Sequence, residues 1–252
     1  MSMHKNYKIT LKNYLLFLKN EKKFYKRNIF KYENTIEKID NWTDSKFSKN
    51  LLWYNLIKKN CKAKISKKHL EKLENWKYDK NKGRLFHTSG GFFSIEGYSI
   101  KNAGREVNKW DQPFIKQNNL VGGIIGLVRT RINQVPHYLI EGKYEPGNYN
   151  MIQLSPSVQS TYSNLNQKHK GERNKIIQFY FKKGYKTLKK VWVSEDGGRL
   201  FKKRNLHWII ESQFKNIPLE KNYKWLSLWE IEEFINKGTY VGPHLRAILS
   251  LI

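Results

Sequence analysis

Cysteine is almost absent from this chain. The single Cys61 excludes an intrachain disulfide, which fits a reducing compartment, and in LLWYNLIKKNCKAKI it reads as a packing residue rather than a nucleophile. Long apolar runs are missing as well. The longest, Leu120 to Val128, is too short to span a bilayer, and MSMHKNYKITLKNYLLFLKNEKK holds no apolar stretch of signal-peptide length, so a soluble, cytoplasmic protein is expected. Several signatures are also lacking: a GxGxxG opening a βαβ unit, a Walker loop, a GxSxG elbow, a CxxC pair, and paired histidines at metal-ligand spacing with a third ligand close by. Neither a redox cofactor nor a catalytic metal is indicated, and none is expected.

Acidic side chains are scarce beside basic ones, 21 against 48, which sets the formal charge at +27. Basic surfaces attract phosphate backbones, so a nucleic-acid-binding protein is one reading. The excess is not confined to a tail, however: residues 1–82 hold 22 basic and 8 acidic side chains, and residues 83–252 hold 26 and 13. Only nine of the 48 are arginine, and asparagine and isoleucine are abundant, the drift expected of an AT-rich coding sequence with lysine spread over a solvated surface. Nucleic acid is therefore not the expected partner, and arginine becomes the informative cation. Arg105, Arg129, Arg131, Arg173 and Arg199 lie in the middle of the chain, where a planar fork suits phosphate or carboxylate.

With 252 residues the chain can bury a sizeable core. Residues 1–82 read as a helical N-terminal segment, with NLLWYNLIKKN at helical spacing and Ser66 as the N-cap of a helix through KKHLEKLENWKY. NKG at Asn81 to Gly83 marks a turn into a different texture over residues 83–252. There RLFHTSGGFFSIEGYSI, GGIIGLVRTRI, HYLIEGKYE, KIIQFYFKKGYKTLKKVWVSED and GRLFKKRNLHWIIES alternate aromatic and β-branched positions between Gly, Asn and Pro, as antiparallel strands do. Ser227 to Glu230 forms a capping box before a helix closed by Gly238, and Pro243 opens a last short helix. The fold class is α+β.

Between Glu141 and Arg173 the lysine-rich texture gives way to EGKYEPGNYNMIQLSPSVQSTYSNLNQKHKGER. Neutral hydrogen-bonding side chains among residues of fixed φ suit a pocket for a small hydroxyl-rich ligand, and equally a surface loop leading into a helix cap. Two further segments carry chemistry. His87 to Ile95 and Gly104 to Pro113 combine a histidine, an arginine–glutamate pair and Trp110, which would present a flat face to a base or sugar, or serve as a buried anchor. Ser194 to Arg199 reads as a tight turn in which Gly197 and Gly198 permit close backbone approach and Arg199 meets a diphosphate, or as a plain hairpin with a surface ion pair.

FHTSGGFFSI, REVNKWDQP, KYEPGNYNMIQLSPSVQSTYSN with the following HKG, and SEDGGRLFKKRN resemble successive motifs of the NDP-hexose 2,3-dehydratase family of deoxysugar biosynthesis, from about Trp76 to Arg204. The closing PHLRAILSLI is similar to the end of a family repeat. The resemblance implies a Nudix-like mixed or antiparallel β core with flanking helices that lacks the metal-binding Nudix box. It implies a dTDP-4-keto-6-deoxyhexose substrate, an NADPH-dependent 3-ketoreductase or aminotransferase downstream, and no membrane partner. Family members carry two such repeats, whereas each motif occurs once here, so a homodimer equivalent to a two-repeat subunit is expected. A dTDP-sugar-binding subunit without catalysis is the alternative.

The implied reaction needs a base near C3, an acid near the C2 oxygen and donors for a developing C4 oxyanion. His169 and Glu145 are the first candidates for acid–base work, followed by His87 and Glu106. Tyr162 and Asn164, within the polar run that also holds Gln159, Ser160 and Thr161, would contact hydroxyls or the oxyanion. Arg105, Arg199, Arg129 and Arg131 are candidate diphosphate clamps, and Trp110 with Gln112 would hold thymine by stacking and an amide pair.

Overall fold

The computed structural model describes residues 47–117, 122–133, 135–165, 174–180, 185–213 and 219–252. The first described helix, α1 (Phe47–Asn60), contains no glycine, proline or β-branched run until Ile57. Phe47, Leu51 and Tyr54 recur along one stripe and pack on the core, where Tyr54 is 1% exposed and donates its hydroxyl to Ile152 O at 2.8 Å. The helix expected from Ser66 through KKHLEKLENWKY does not form. Only a 3-10 turn at Leu70–Lys72 appears, and Asn75 takes a left-handed φ of 63° just before β1 (Trp76–Asp79). The segment's apolar residues are too few to line a face, and Leu70 is exposed, so a helix there would have nothing to bury.

A four-stranded antiparallel sheet follows, in the order β1, β2 (Arg84–His87), β3 (Phe93–Lys101) and β4 (Lys109–Gln117). The expected division between residues 82 and 83 lies within its first hairpin, at the turn where Gly83 has φ 55°.

The second sheet is mixed. Its path runs β11 (Tyr223–Leu226), β6 (Val135–Tyr144), β5 (Ile124–Ile132), β10 (Arg204–Glu211) and β9 (Lys186–Ser194), with β10 parallel to β5 and the other neighbours antiparallel. Two short strands, β7 (Ile152–Pro156) and β8 (Val158–Ser160), enter where β5 and β6 part: β7 pairs with the far half of β6, and β8 with the near half of β5. Ser157 sits at this fork, fully buried. Its hydroxyl accepts from Val128 N–H at 2.9 Å and donates to Leu139 O at 2.6 Å, so one side chain satisfies backbone groups of both diverging strands. The backbones approach closely here. A Cβ on Gly123 would lie 2.2 Å from Ser160 O, and one on Gly122 only 1.7 Å from Arg204 O.

Helices cover both faces of this sheet. On one face α1, α4 (Leu228–Asn236) and α5 (Pro243–Leu249) enclose Leu127, Tyr138, Ile140, Leu154 and Ile209; on the other, Val128, Leu139, Val158 and Ile210 pack with Ile176 and Ile177 at the start of α3 (Ile177–Tyr180). The remaining helix, α2 (Tyr162–Leu165), is one turn. The C-terminal helices match their sequence signals: Ser227 and Glu230 form a reciprocal capping box, Gly238 has φ 88°, and Pro243 stands at the start of α5. Among the described residues no helix is long and apolar enough to cross a membrane. The architecture is α+β with one antiparallel and one mixed sheet, and no described residue of the first sheet joins either core.

Candidate functional site

The polar groups that the fold gathers come from five separate places. EPGN makes a tight turn after β6, with Asn148 N–H on Glu145 O at 3.0 Å, Glu145 N–H on Met151 O at 3.2 Å, and Met151 at φ 62°. That turn places Glu145 at the strand end beside Gln159 of β8, whose Nε2 donates to Glu145 Oε1 at 2.7 Å, while Lys143 Nζ stands 3.3 Å from the same oxygen. The loop joining β9 to β10 supplies Glu195 and Lys203, and it closes on itself through Glu195 N–H on Lys203 O at 3.0 Å. Asn205, the second residue of β10, donates to Glu195 and accepts from Gly123 N–H at 2.8 Å. From the first turn of α5, His244 brings Nδ1 to 3.6 Å from Glu195 Oε1.

Charges from the end of β6 and from the β9–β10 loop act on His244. Burial holds its imidazole below the ordinary histidine range; Glu195 and Glu145 oppose that effect, and Lys203 and Lys143 add to it. His207 on β10 is 2% exposed and is lowered for the same first reason, with His244 acting in the same direction and Glu195 opposing. The imidazoles are thereby held towards the neutral, proton-accepting form, and Glu195 is placed to orient His244 and to stabilise its imidazolium. Two buried atoms of the cluster, His207 Nδ1 and Gln159 Oε1, have no hydrogen-bond partner among the described residues. No group of three His, Cys, Asp or Glu among the described residues is arranged to hold a metal ion.

Of the residues picked from sequence, Glu145 and Gln159 come together. Ser160 is buried in the β8–β5 ladder opposite Ile124. Thr161 caps α2, its hydroxyl 3.3 Å from Asn164 N–H and 3.0 Å from Ser163 Oγ, while Tyr162 and Asn164 point to the surface. His87 lies in the first sheet, its ring 4.5 Å from Phe92 and 5.5 Å from Trp76, with Nδ1 on Ser89 Oγ at 2.7 Å. Arg105 and Glu106 face each other at 3.7 Å on an exposed loop between β3 and β4. Arg129 is 1% exposed, its Nε 3.7 Å from Glu211, and Arg131 reaches the same carboxylate at 3.6 Å, so Arg129 is enclosed by protein rather than open to a diphosphate. Trp110, Gln112 and the loop of Arg199 do meet, through Trp110 Nε1 on Gln112 Oε1 and Gln112 Nε2 on Gly198 O, each at 2.7 Å. His169 and Arg173 lie outside the described residues.

Sequence reasoning missed His244, Glu195, His207, Asn205, Lys143 and Lys203. Glu195 and His244 stood inside the motifs SEDGGR and PHLRAILSLI, but nothing local separates a site carboxylate from a turn carboxylate, or a site imidazole from a surface one.

An imidazole held towards its neutral form beside a carboxylate, with a second carboxylate and an amide close by, is an arrangement that can move protons on a polar ligand. The family model of NDP-hexose 2,3-dehydratases matches residues 48–252, and the chain belongs to that family. It is 33% identical over 183 residues to a dTDP-4-dehydro-6-deoxy-alpha-D-glucopyranose 2,3-dehydratase of Saccharopolyspora spinosa, covering 72% of this chain and 37% of the relative. A protein of the same name from Amycolatopsis orientalis is 33% identical over 186 residues, covering 71% and 39%. The chain thus matches about two fifths of the length of these relatives. Among solved structures, an Ap4A hydrolase of C. elegans covers 52% of this chain and 94% of its own at 13% identity, and the Nudix hydrolase RenU of M. smegmatis covers 62% and 97% at 12% identity. Both superpose with a TM-score of 0.31, too low to carry the fold assignment, which rests on the sheet topology above.

Proposed function

We propose that the chain removes water across C2 and C3 of dTDP-4-keto-6-deoxy-D-glucose. The C4 ketone acidifies the C3 proton, and the C2 hydroxyl lies β to that ketone. His244 takes the C3 proton; the C3–H electron pair becomes the C2–C3 double bond as the C2–O bond breaks, and a proton delivered to the leaving oxygen releases water. The resulting enol takes up a proton at C2 and relaxes to the 3,4-diketo-2,6-dideoxy sugar. Glu195 orients His244 and stabilises its imidazolium, Glu145 with Gln159 serves the departing hydroxyl, and Lys143 and Lys203 supply positive charge for the developing oxyanion or the diphosphate. The observation that supports this reading best is the His244–Glu195 pair set in one electrostatic cluster with Glu145, in a member of this family.

A homodimer and a role for His169 belong to the same proposal, as does a downstream NADPH-dependent 3-ketoreductase or aminotransferase. The test is incubation with dTDP-4-keto-6-deoxy-D-glucose, a 3-ketoreductase and NADPH, followed by mass spectrometry for a 2,6-dideoxy sugar nucleotide. His244→Asn and Glu145→Gln are each expected to lower kcat by about a hundredfold or more while dTDP affinity stays nearly constant. Because the active imidazole must be neutral and its pKa is depressed, activity should persist below the ordinary histidine range as pH falls. Stoichiometric dTDP binding with the C2 hydroxyl retained would instead identify a binding subunit without catalysis. Sedimentation at twice the chain mass is expected for the dimer, and a clean monomer would count against it.

A further inference from the structure

The four-stranded sheet joins neither hydrophobic core, yet it is fastened to the loop that carries Glu195 and Lys203. Ile115 of β4 donates its N–H to Arg199 O at 2.9 Å and accepts from Phe201 N–H at 2.9 Å, so the loop runs as a short parallel addition to the edge of that sheet. Phe201 stacks on Tyr98 of β3, with ring centroids 4.4 Å apart and 21° between planes. The side-chain link is Gln112. Its Oε1 accepts from the Trp110 indole N–H and its Nε2 donates to Gly198 O, so each end of the carboxamide has a partner within the protein. Asp196 folds the tip of the same loop, accepting from Gly198 N–H at 2.9 Å through Oδ1 and from Leu200 N–H at 2.9 Å through its carbonyl. Glu195 immediately precedes this turn, and its own partners are Asn205 and His244.

We infer that Gln112 is a positioning residue: through Gly198 it braces the β9–β10 loop and so sets where the Glu195 carboxylate meets His244. The inference rests on the dehydratase reading for its kinetic arm only. Gln112→Glu keeps an acceptor for Trp110 but turns an oxygen towards Gly198 O, and Trp110→Phe removes the indole donor and lets the carboxamide turn. Each substitution should lower kcat about tenfold with KM within about twofold, because the loss falls on an interaction made in the transition state rather than on uniform substrate binding. A raised KM with kcat unchanged would overturn the inference and return Gln112 to nucleobase contact.

The second arm needs no turnover. In the ligand-free protein the His244 ring resonance is followed against pH by NMR. His244 faces Glu195, Glu145, Lys203, Lys143 and His207, and of these Glu195 is the largest charge holding its titration up against burial. Releasing the loop should therefore move the His244 midpoint down in both variants relative to the parent chain, with circular dichroism unchanged. An unmoved midpoint in folded variants refutes the positioning role. A parent chain with no dehydratase activity but variants with shifted midpoints would refute the proposed reaction and leave the brace intact.

Discussion

Replacing Glu141 with glutamine isolates the cost of ionising a half-buried carboxyl on β6. Glu141 pairs with Tyr223 across the β6–β11 ladder, and Asn222 Nδ2 lies 3.3 Å from its Oε1. Burial pushes the carboxyl up from 4.5 to about 7; the Lys143 ammonium and a hydrogen bond from Tyr223 oppose the shift, and the carboxylates of Glu145 and Glu220 add to it. The folded protein therefore binds this proton more tightly than the unfolded chain does. Its contribution to stability is complete below the unfolded value near 4.5 and is lost as pH rises through about 7. A shift of that size corresponds to about 3 kcal/mol as an upper bound, at ~1.4 kcal/mol per unit. Glutamine cannot ionise and keeps an oxygen for Asn222. Urea unfolding of the parent and Glu141→Gln chains at about pH 5 and pH 8 should show the variant gaining roughly 2 kcal/mol on the parent between the two conditions. Parallel stability curves would refute the assignment of a costly half-buried carboxylate to β6.

Two other substitutions test the fork in the mixed sheet. Ser157→Ala leaves Val128 N–H and Leu139 C=O buried without their shared partner, and thermal or urea unfolding should register a loss of about 2–4 kcal/mol with the m-value unchanged. A loss below ~1 kcal/mol would mean that the strands close without the hydroxyl. Gly123→Ala brings a methyl to within 2.2 Å of Ser160 O, so a severe fall in Tm or in soluble yield is expected, whereas Gly97→Ala, with nothing within 4 Å of its added Cβ, should melt close to the parent.

Elements that depend on near neighbours were legible in the chain. Ser227 with Glu230, Gly238, Pro243 and most of the alternating strands are local patterns that appear where their residues predict, whereas the start of KIIQFYFKKGYKTLKKVWVSED, read as strand, forms the helical turn α3 and the strand begins only at Lys186. The failed helix at KKHLEKLENWKY marks the limit of such patterns: residues with good helical propensity stayed extended because no apolar face was available to bury and Trp76 found a strand partner in His87. Arg129 shows the same limit from the other side, since an arginine in a basic chain looks exposed until β5 is placed at the centre of a sheet.

Capping, turn glycines and strand alternation, each written within a few residues, carried the α+β class, and the polar run brought Glu145 forward as a candidate. That His244 and Glu195 lie near it, and that Gln112 reaches Gly198, came from long-range pairing alone. Those meetings depend on β10 lying parallel to β5 and on β4 gripping the β9–β10 loop, and such pairings are settled by which distant surfaces bury together, not by any local pattern.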